Sequence, residues 1–196
     1  MQAPGLPPEL FDAIIDELRE DKNSLLQISL ACRAFCPRTR VHLFHAVTLL
    51  GKFCCDRLRA LVTLSPTLAL HFKLLHIYWE IDYWDHDSPE VYEPLTTVIE
   101  SLVDVTNLYL DLDDWRHVPD IVASSLQSRS YRSIDSNCNF TSMSEICSLL
   151  QNSPGLERVS FTYTKFPPTL CHFDVCRETR SSEVGHIIPS MPVFFL

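Results

Sequence analysis

The sequence predicts a mixed α/β fold in which an N-terminal three-helix unit precedes alternating helices and strands around a parallel sheet. Three observations predict it. Helical stripes of apolar residues fill residues 6–49, a short apolar template recurs five times between residues 44 and 161, and helical patterns lie between its copies. A chain of 196 residues can bury a substantial core in one domain.

The first element is a short amphipathic helix. Pro7 and Pro8 stand where the first turn of a helix has no use for an N–H group. Apolar residues then recur four positions apart, with apolar neighbours beside them, and form one stripe of the helix. The stripe consists of Leu10, Phe11, Ile14, Ile15 and Leu18. A polar connector over 19–23 follows.

A second helix, capped by Asn23 or Ser24, is expected to continue to Phe35, because apolar residues keep helical spacing to that point. Its two apolar faces comprise Leu25, Ile28, Cys32 and Phe35 on one side and Leu26 and Leu30 on the other. Pro37 is expected to end this helix and to start a third, short one through Phe44. Apolar residues on two faces predict contacts on two sides.

Residues 6–49 resemble the F-box motif, in particular the form found in the large F-box families of fungi. The resemblance rests on L-P-P-E-L at 6–10, S-L-A-C-R-A-F at 29–35 and H-L-F at 42–44. F-box motifs are three-helix modules that dock on the Skp adaptor of Skp–cullin–F-box ubiquitin ligases. The resemblance therefore implies a substrate-recruiting subunit that reaches cullin through the adaptor and has no catalytic site of its own.

The resemblance also implies which residues bind the adaptor or share the work between the core of the module and this interface. They are Leu6, Pro7, Leu10, Ile14, Leu18, Leu30 and Phe35. Phe35 stands where the family often has Trp, and both rings provide a large apolar face.

After the helical unit, a six-residue template recurs. Its first residue is aromatic or aliphatic, its fourth is aliphatic and its sixth is usually apolar, whereas the other three positions vary. Its copies start at Phe44, Phe72, Val105, Tyr131 and Leu156, which gives steps of 28, 33, 26 and 25 residues. This is the core pattern and approximate period of leucine-rich repeats. Because the asparagine ladder of regular repeats is missing, we expect a degenerate leucine-rich-repeat-like solenoid over residues 50–163, with an ordinary small α/β domain as the competing fold.

Helical patterns separate the candidate strands. The stretch 53–62 ends at Ser65-Pro66, a second one over 95–103 starts at Pro94, a third follows Pro119, and a fourth follows a capping box formed by Ser142 and Glu145. Helix and strand in alternation predict a parallel sheet with right-handed crossovers. Residues 1–5 form a short tail, and 164–196 lose all periodicity and are expected to be irregular or truncated.

Two acidic stretches are candidate target-binding loops, because both follow a candidate strand and combine carboxylates with tryptophan. They contribute Asp82, Trp84, Asp85, Asp113 and Trp115. Loops after parallel strands often carry ligand sites, and carboxylates beside an aromatic ring suit a cation or a basic peptide. The simpler interpretation is that these residues only solvate turns.

Composition excludes several function classes. The chain has four glycines, Gly5, Gly51, Gly155 and Gly185, so no phosphate-cradling glycine loop and no G-x-S-x-G elbow can be written. The net charge is -9, with 16 basic against 25 acidic residues, which disfavours nucleic acid as a partner. No Ser, His and Asp at a recognisable spacing predicts catalysis, and a metal-dependent hydrolase using the acidic loops remains a minor alternative.

The eight cysteines are expected to be reduced, because the N-terminus does not look like a signal peptide. Close pairs such as Cys32 and Cys36 lack a second pair, so no metal or other cofactor is predicted. Cys32, Cys54 and Cys147 are expected to be buried thiols on apolar helix faces. With no apolar run of 18 residues, no membrane contact is expected, and the predicted compartment is cytoplasm or nucleus. A stand-alone interaction protein, or a truncated F-box paralogue without ligase function, is the main alternative.

Overall fold

A computed structural model describes residues 7–79 and 92–162 of the chain. The elements of the N-terminal unit are α1 (Pro8–Glu17), α2 (Lys22–Ala31), a 3-10 turn (Arg33–Phe35) and α3 (Cys36–Leu43). They are followed by β1 (Ala46–Leu50), α4 (Gly51–Leu64), a 3-10 helix (Pro66–His71), β2 (Leu74–Trp79), α5 (Glu93–Ser101), β3 (Asn107–Asp114), a 3-10 turn (Trp115–His117), α6 (Asp120–Gln127), β4 (Ser133–Asn139), α7 (Met143–Leu150) and β5 (Arg158–Phe161).

The five strands form one parallel sheet in chain order, which confirms the predicted mixed α/β class and parallel sheet. The copies of the sequence template coincide with the strands, since each begins two residues before one of them. The fourth template positions lie side by side across the sheet, in the order Val47, Leu75, Leu108, Ile134 and Val159.

The turn before each strand is also repeated. One carbonyl there accepts hydrogen bonds from two successive N–H groups of the next unit, and the accepting carbonyls belong to His45, Lys73, Thr106 and Arg132. Neighbouring units are therefore joined in the same way at the amino ends of the strands.

The core lies between one face of the sheet and the helices α4 to α7. Side chains alternate along a strand, so Val47 and Leu49 in β1 and Leu108 and Leu110 in β3 are buried, whereas their neighbours point the other way. The helices pack on one another in sequence, α4 beside α5, α5 beside α6 and α6 beside α7. The opposite face of the sheet, called the open face below, is not covered by helices α4 to α7.

The helical unit differs in detail from the prediction. The second helix ends at Ala31 instead of reaching Phe35, because Cys32 has extended backbone angles (φ -151°, ψ 131°), and α3 begins at Cys36, so that Pro37 lies in its first turn. The N-cap of α2 is Asp21, whose carboxylate accepts a hydrogen bond from the Ser24 N–H at 3.1 Å.

Two further details depart from expectation. Helix α5 stops at Ser101, so Leu102 is buried just beyond it and Val103 is exposed, although both were placed on its apolar stripe. Among the described cysteines, Cys55 and Cys138 are buried, whereas Cys32 and Cys147 are exposed and Cys54 is half-buried. A thiol is small enough to fit either environment, so helical spacing alone misassigned these residues.

Other predicted starts are confirmed. Pro94 lies in the first turn of α5, and Ser142 and Glu145 form both hydrogen bonds of a capping box on α7. Leu6, Asp82, Trp84, Asp85 and the predicted tail at 164–196 lie outside the described residues.

Candidate functional site

The three N-terminal helices are held together by a small core and by one charged cluster. Ile15, Leu25 and Thr39 are buried, and the Phe11 ring packs on that of Phe35 at 5.1 Å between centroids. A unit with so few buried side chains needs polar contacts to fix its helices.

Asp16 on α1 provides those contacts. Arg38 on α3 donates to both of its carboxylate oxygens at 2.5 Å, and the His42 ring nitrogen Nε2 lies 2.7 Å from Oδ1. The hydrogen bonds from Arg38, and next those from His42, lower the pKa of the Asp16 carboxyl to about 2. The cluster thus ties α1 to α3 through a carboxylate that is charged at neutral pH.

The residues implied to bind the adaptor divide into two groups in the structure. Leu10 is 48% exposed, Ile14 54% and Leu30 87%, and Pro7 is also exposed. Leu18 and Phe35 are half-buried, and Phe35 contributes to the small core through its contact with Phe11. Leu10 and Ile14 lie one turn apart and share a face of α1, whereas Leu30 lies on α2. The apolar side chains of Leu10 and Ile14 are therefore about half exposed, and that of Leu30 is almost fully exposed.

A groove of about 700 Å³ separates this unit from the start of the sheet. Its lining includes Leu26 from α2, Phe44 after α3, Ala46 and Thr48 from β1, and Leu74 from β2. The Phe44 ring also meets Phe72 edge-on at 5.9 Å. The helical unit and the sheet therefore share apolar contacts directly.

The second acidic stretch is not a loop, contrary to the prediction. Strand β3 continues through Asp114, because Leu112 keeps the alternation and is buried, which places Asp111 on the other side. The pairing of β3 with β4 is irregular between Asp111 and Asp114. Trp115 is only 5% exposed and packs on Phe140 at 5.4 Å between centroids. Its ring is part of the core, so it does not form a target site with Asp113, whose carboxylate remains exposed.

The residues on the open side of the sheet are not marked by any motif in the sequence. One row across it contains Thr48, His76, Tyr109, Asp135 and Ser160. These residues occupy the variable positions of the template, where no apolar period marks them. Their signal was the alternation itself, because every second residue of a half-covered strand faces outward.

Within residues 7–79 and 92–162, no group of three or more His, Cys, Asp or Glu side chains is arranged to hold a metal ion. None of the helices described there is both long enough and apolar enough to span a membrane.

No family model matches the chain, and no characterised protein or solved structure shows significant similarity to it. Function is therefore inferred from side-chain geometry and from the motif in residues 6–49.

Proposed function

We propose that this protein is an F-box subunit that recruits a substrate to a Skp–cullin–F-box ubiquitin ligase. Residues 6–49 bind the Skp adaptor, and the leucine-rich-repeat-like segment over 50–163 binds a protein target. The chain contributes positioning instead of bond chemistry, since a target held near a ubiquitin-charged enzyme experiences a high effective concentration of it.

The observation that supports this proposal most directly is the exposure of apolar side chains at motif positions. Leu10, Ile14 and Leu30 are large, apolar and half to almost fully exposed on a three-helix unit. Covering each side chain stabilises a complex by roughly 1–2 kcal/mol, from about 25 cal/mol per Å² of apolar surface. A helical module with this surface is suited to docking on an apolar partner surface.

The charged cluster supports the same proposal. Asp16 joins α1 to α3 through Arg38 and His42, so the apolar residues of α1 are presented in a fixed orientation. Fixing the helices before binding reduces the entropy lost on association. This is the property expected of an interface module that folds ahead of its partner.

Co-purification with the Skp adaptor tests the proposal. We expect the full-length protein to retain the adaptor and both Ile14→Glu and Leu30→Glu to weaken retention at least about tenfold, because each places a charge in a desolvated apolar contact. Leu64→Glu is the matched control, since Leu64 on α4 is 85% exposed and lies outside the motif.

Circular dichroism separates loss of binding from loss of folding, because all three substitutions are at exposed positions. A folded wild-type protein that does not retain the adaptor overturns the proposal in favour of a stand-alone interaction protein. Equal losses from Leu64→Glu and Leu30→Glu would show that the motif residues have no special part in binding.

A further inference from the structure

The open face of the sheet has its own chemistry. Besides the row through His76, Tyr109 and Asp135, a second row across β1 to β4 contains Leu50, Tyr78, Asp111 and Asn137. Helices α4 to α7 pack on the other side of the sheet. Of the described helices, α2 comes near these rows at β1, where Leu26 and Thr48 line the same groove. The side chains of both rows are partly exposed, although the Nε2 atom of His76 is buried.

Aromatic and acidic groups dominate this face. The His76 ring meets Tyr109 edge-on at 4.5 Å, and Asn137 Nδ2 donates to Asp111 Oδ1 at 2.8 Å. The Asp135 carboxylate has neither a hydrogen bond nor an ion pair within the described ranges. Burial first, and then the negative charges of Asp111 and Asp135, raise the pKa of the Tyr109 phenol, as a negative local potential requires.

Positive charge is scarce on the same face. In the described strands its basic side chain is Arg158 on β5, at the amino end of the sheet, which donates to Ser133 Oγ at 3.0 Å. The face therefore complements a positively charged partner and repels an acidic one.

We propose that the open face of the sheet binds an extended segment of a target protein that carries lysine or arginine at every second position. Asp111 and Asp135 are one strand and two residues apart in register, which corresponds to about 8 Å from strand spacing and rise. Alternate side chains of an extended segment point the same way and are about 7 Å apart, so two successive basic residues reach both carboxylates. The Tyr109 ring lies beside Asp135 in register and packs against the aliphatic stems of these residues.

This proposal names the target class of the proposed recruiting function and rests on it. The occupant is a basic segment and not a nucleic acid, because phosphates would meet the same carboxylates. It is also not a metal ion, since the described residues contain no suitable group of ligands.

Fluorescence anisotropy with a labelled nine-residue peptide of alternating lysine and serine tests this, with a glutamate–serine peptide as the comparison probe. We expect the full-length protein to bind the lysine peptide alone and the double variant Asp111→Asn with Asp135→Asn to bind it at least about fivefold more weakly, from two partly exposed ion pairs. Asparagine keeps the shape of both side chains and an acceptor for Asn137.

The control double variant is Glu93→Gln with Glu100→Gln, which removes the same charge from exposed positions on α5, on the helical side of the sheet. It should bind the lysine peptide as the wild type does. Equal weakening by both double variants would show that net charge alone determines binding and would overturn the proposal. A wild type that does not distinguish the two peptides would also overturn it. Adaptor retention is measured separately, so loss of peptide discrimination with adaptor retention intact contradicts this inference alone.

Discussion

Ser136 provides a direct test of how the core of the sheet is built. In register it occupies the position held by Leu49, Ile77 and Leu110 in the preceding strands and by Phe161 in the next. Its side chain is fully buried, and its hydroxyl has no hydrogen-bond partner among the described residues. A buried hydroxyl without a partner lowers stability.

We expect Ser136→Ala to stabilise the protein. Removing an unpaired hydroxyl recovers about 1–2 kcal/mol of desolvation cost. The lost packing of the oxygen atom and the weaker strand preference of alanine offset this gain by a few tenths of a kcal/mol. The net gain is about 1 kcal/mol. For a domain of this size, with a urea dependence of about 2 kcal/mol per molar, the unfolding midpoint rises by about 0.5 M.

Ser133 in the same strand is the matched control. It is also buried, but its hydroxyl accepts a hydrogen bond from Arg158 Nε at 3.0 Å. Ser133→Ala should therefore destabilise by about 1 kcal/mol, the ordinary net contribution of such a bond. Urea unfolding followed by tryptophan fluorescence measures both variants. If Ser136→Ala lowers the midpoint as much as Ser133→Ala does, the hydroxyl is paired and the reasoning is wrong.

Two further predictions concern ionisable groups. The folded pKa of Asp16 is about 2, below the unfolded value of about 3.9, so the stability that its carboxylate contributes is present above pH 4 and lost as the pH falls through 2. Between these two pH values, the melting temperature should therefore fall less steeply for Asp16→Asn than for the wild type. Burial raises the pKa of the Cys55 and Cys138 thiols to about 12, so mass-resolved thiol labelling at neutral pH should modify Cys32 and Cys147 before Cys55 and Cys138. Labelling of Cys55 in the native protein at the rate of Cys32 would contradict the placement of Cys55 in the core.

The repeated strands could be predicted because their pattern follows backbone geometry. The fourth and sixth positions of the template are two residues apart and therefore on one side of a strand, where Val47 and Leu49 are buried. The same spacing recurs in every unit, so the register across the sheet followed from the template. The pattern persists even in the last copy, where Val159 on the edge strand is 37% exposed, because neighbouring units stack in the same way.

Other features were not predictable from periodicity. The break after Ala31 depends on the extended backbone of Cys32, and a helical stripe that continues to Phe35 gives no sign of it. The stretch from Asp111 to Trp115 looked like a loop because it is rich in carboxylates. Burial of Leu112 and Trp115 outweighs that polarity, so the chain remains a strand through Asp114 and the Trp115 ring is then buried in the core.

The junction between the helical unit and the sheet connects the two proposals physically. Only Phe44 and His45 separate the end of α3 from the start of β1, and the Phe44 ring packs on Phe72 within the apolar contacts of the sheet. The same phenylalanine is the last residue of the motif that resembles an F-box and the first residue of the first template copy. A connection this short and packed restricts relative rotation, unlike the exposed polar linkers between independent domains. A target bound on the open face would therefore be held at a fixed position relative to the adaptor, which raises its effective concentration more than a flexible tether of the same reach would.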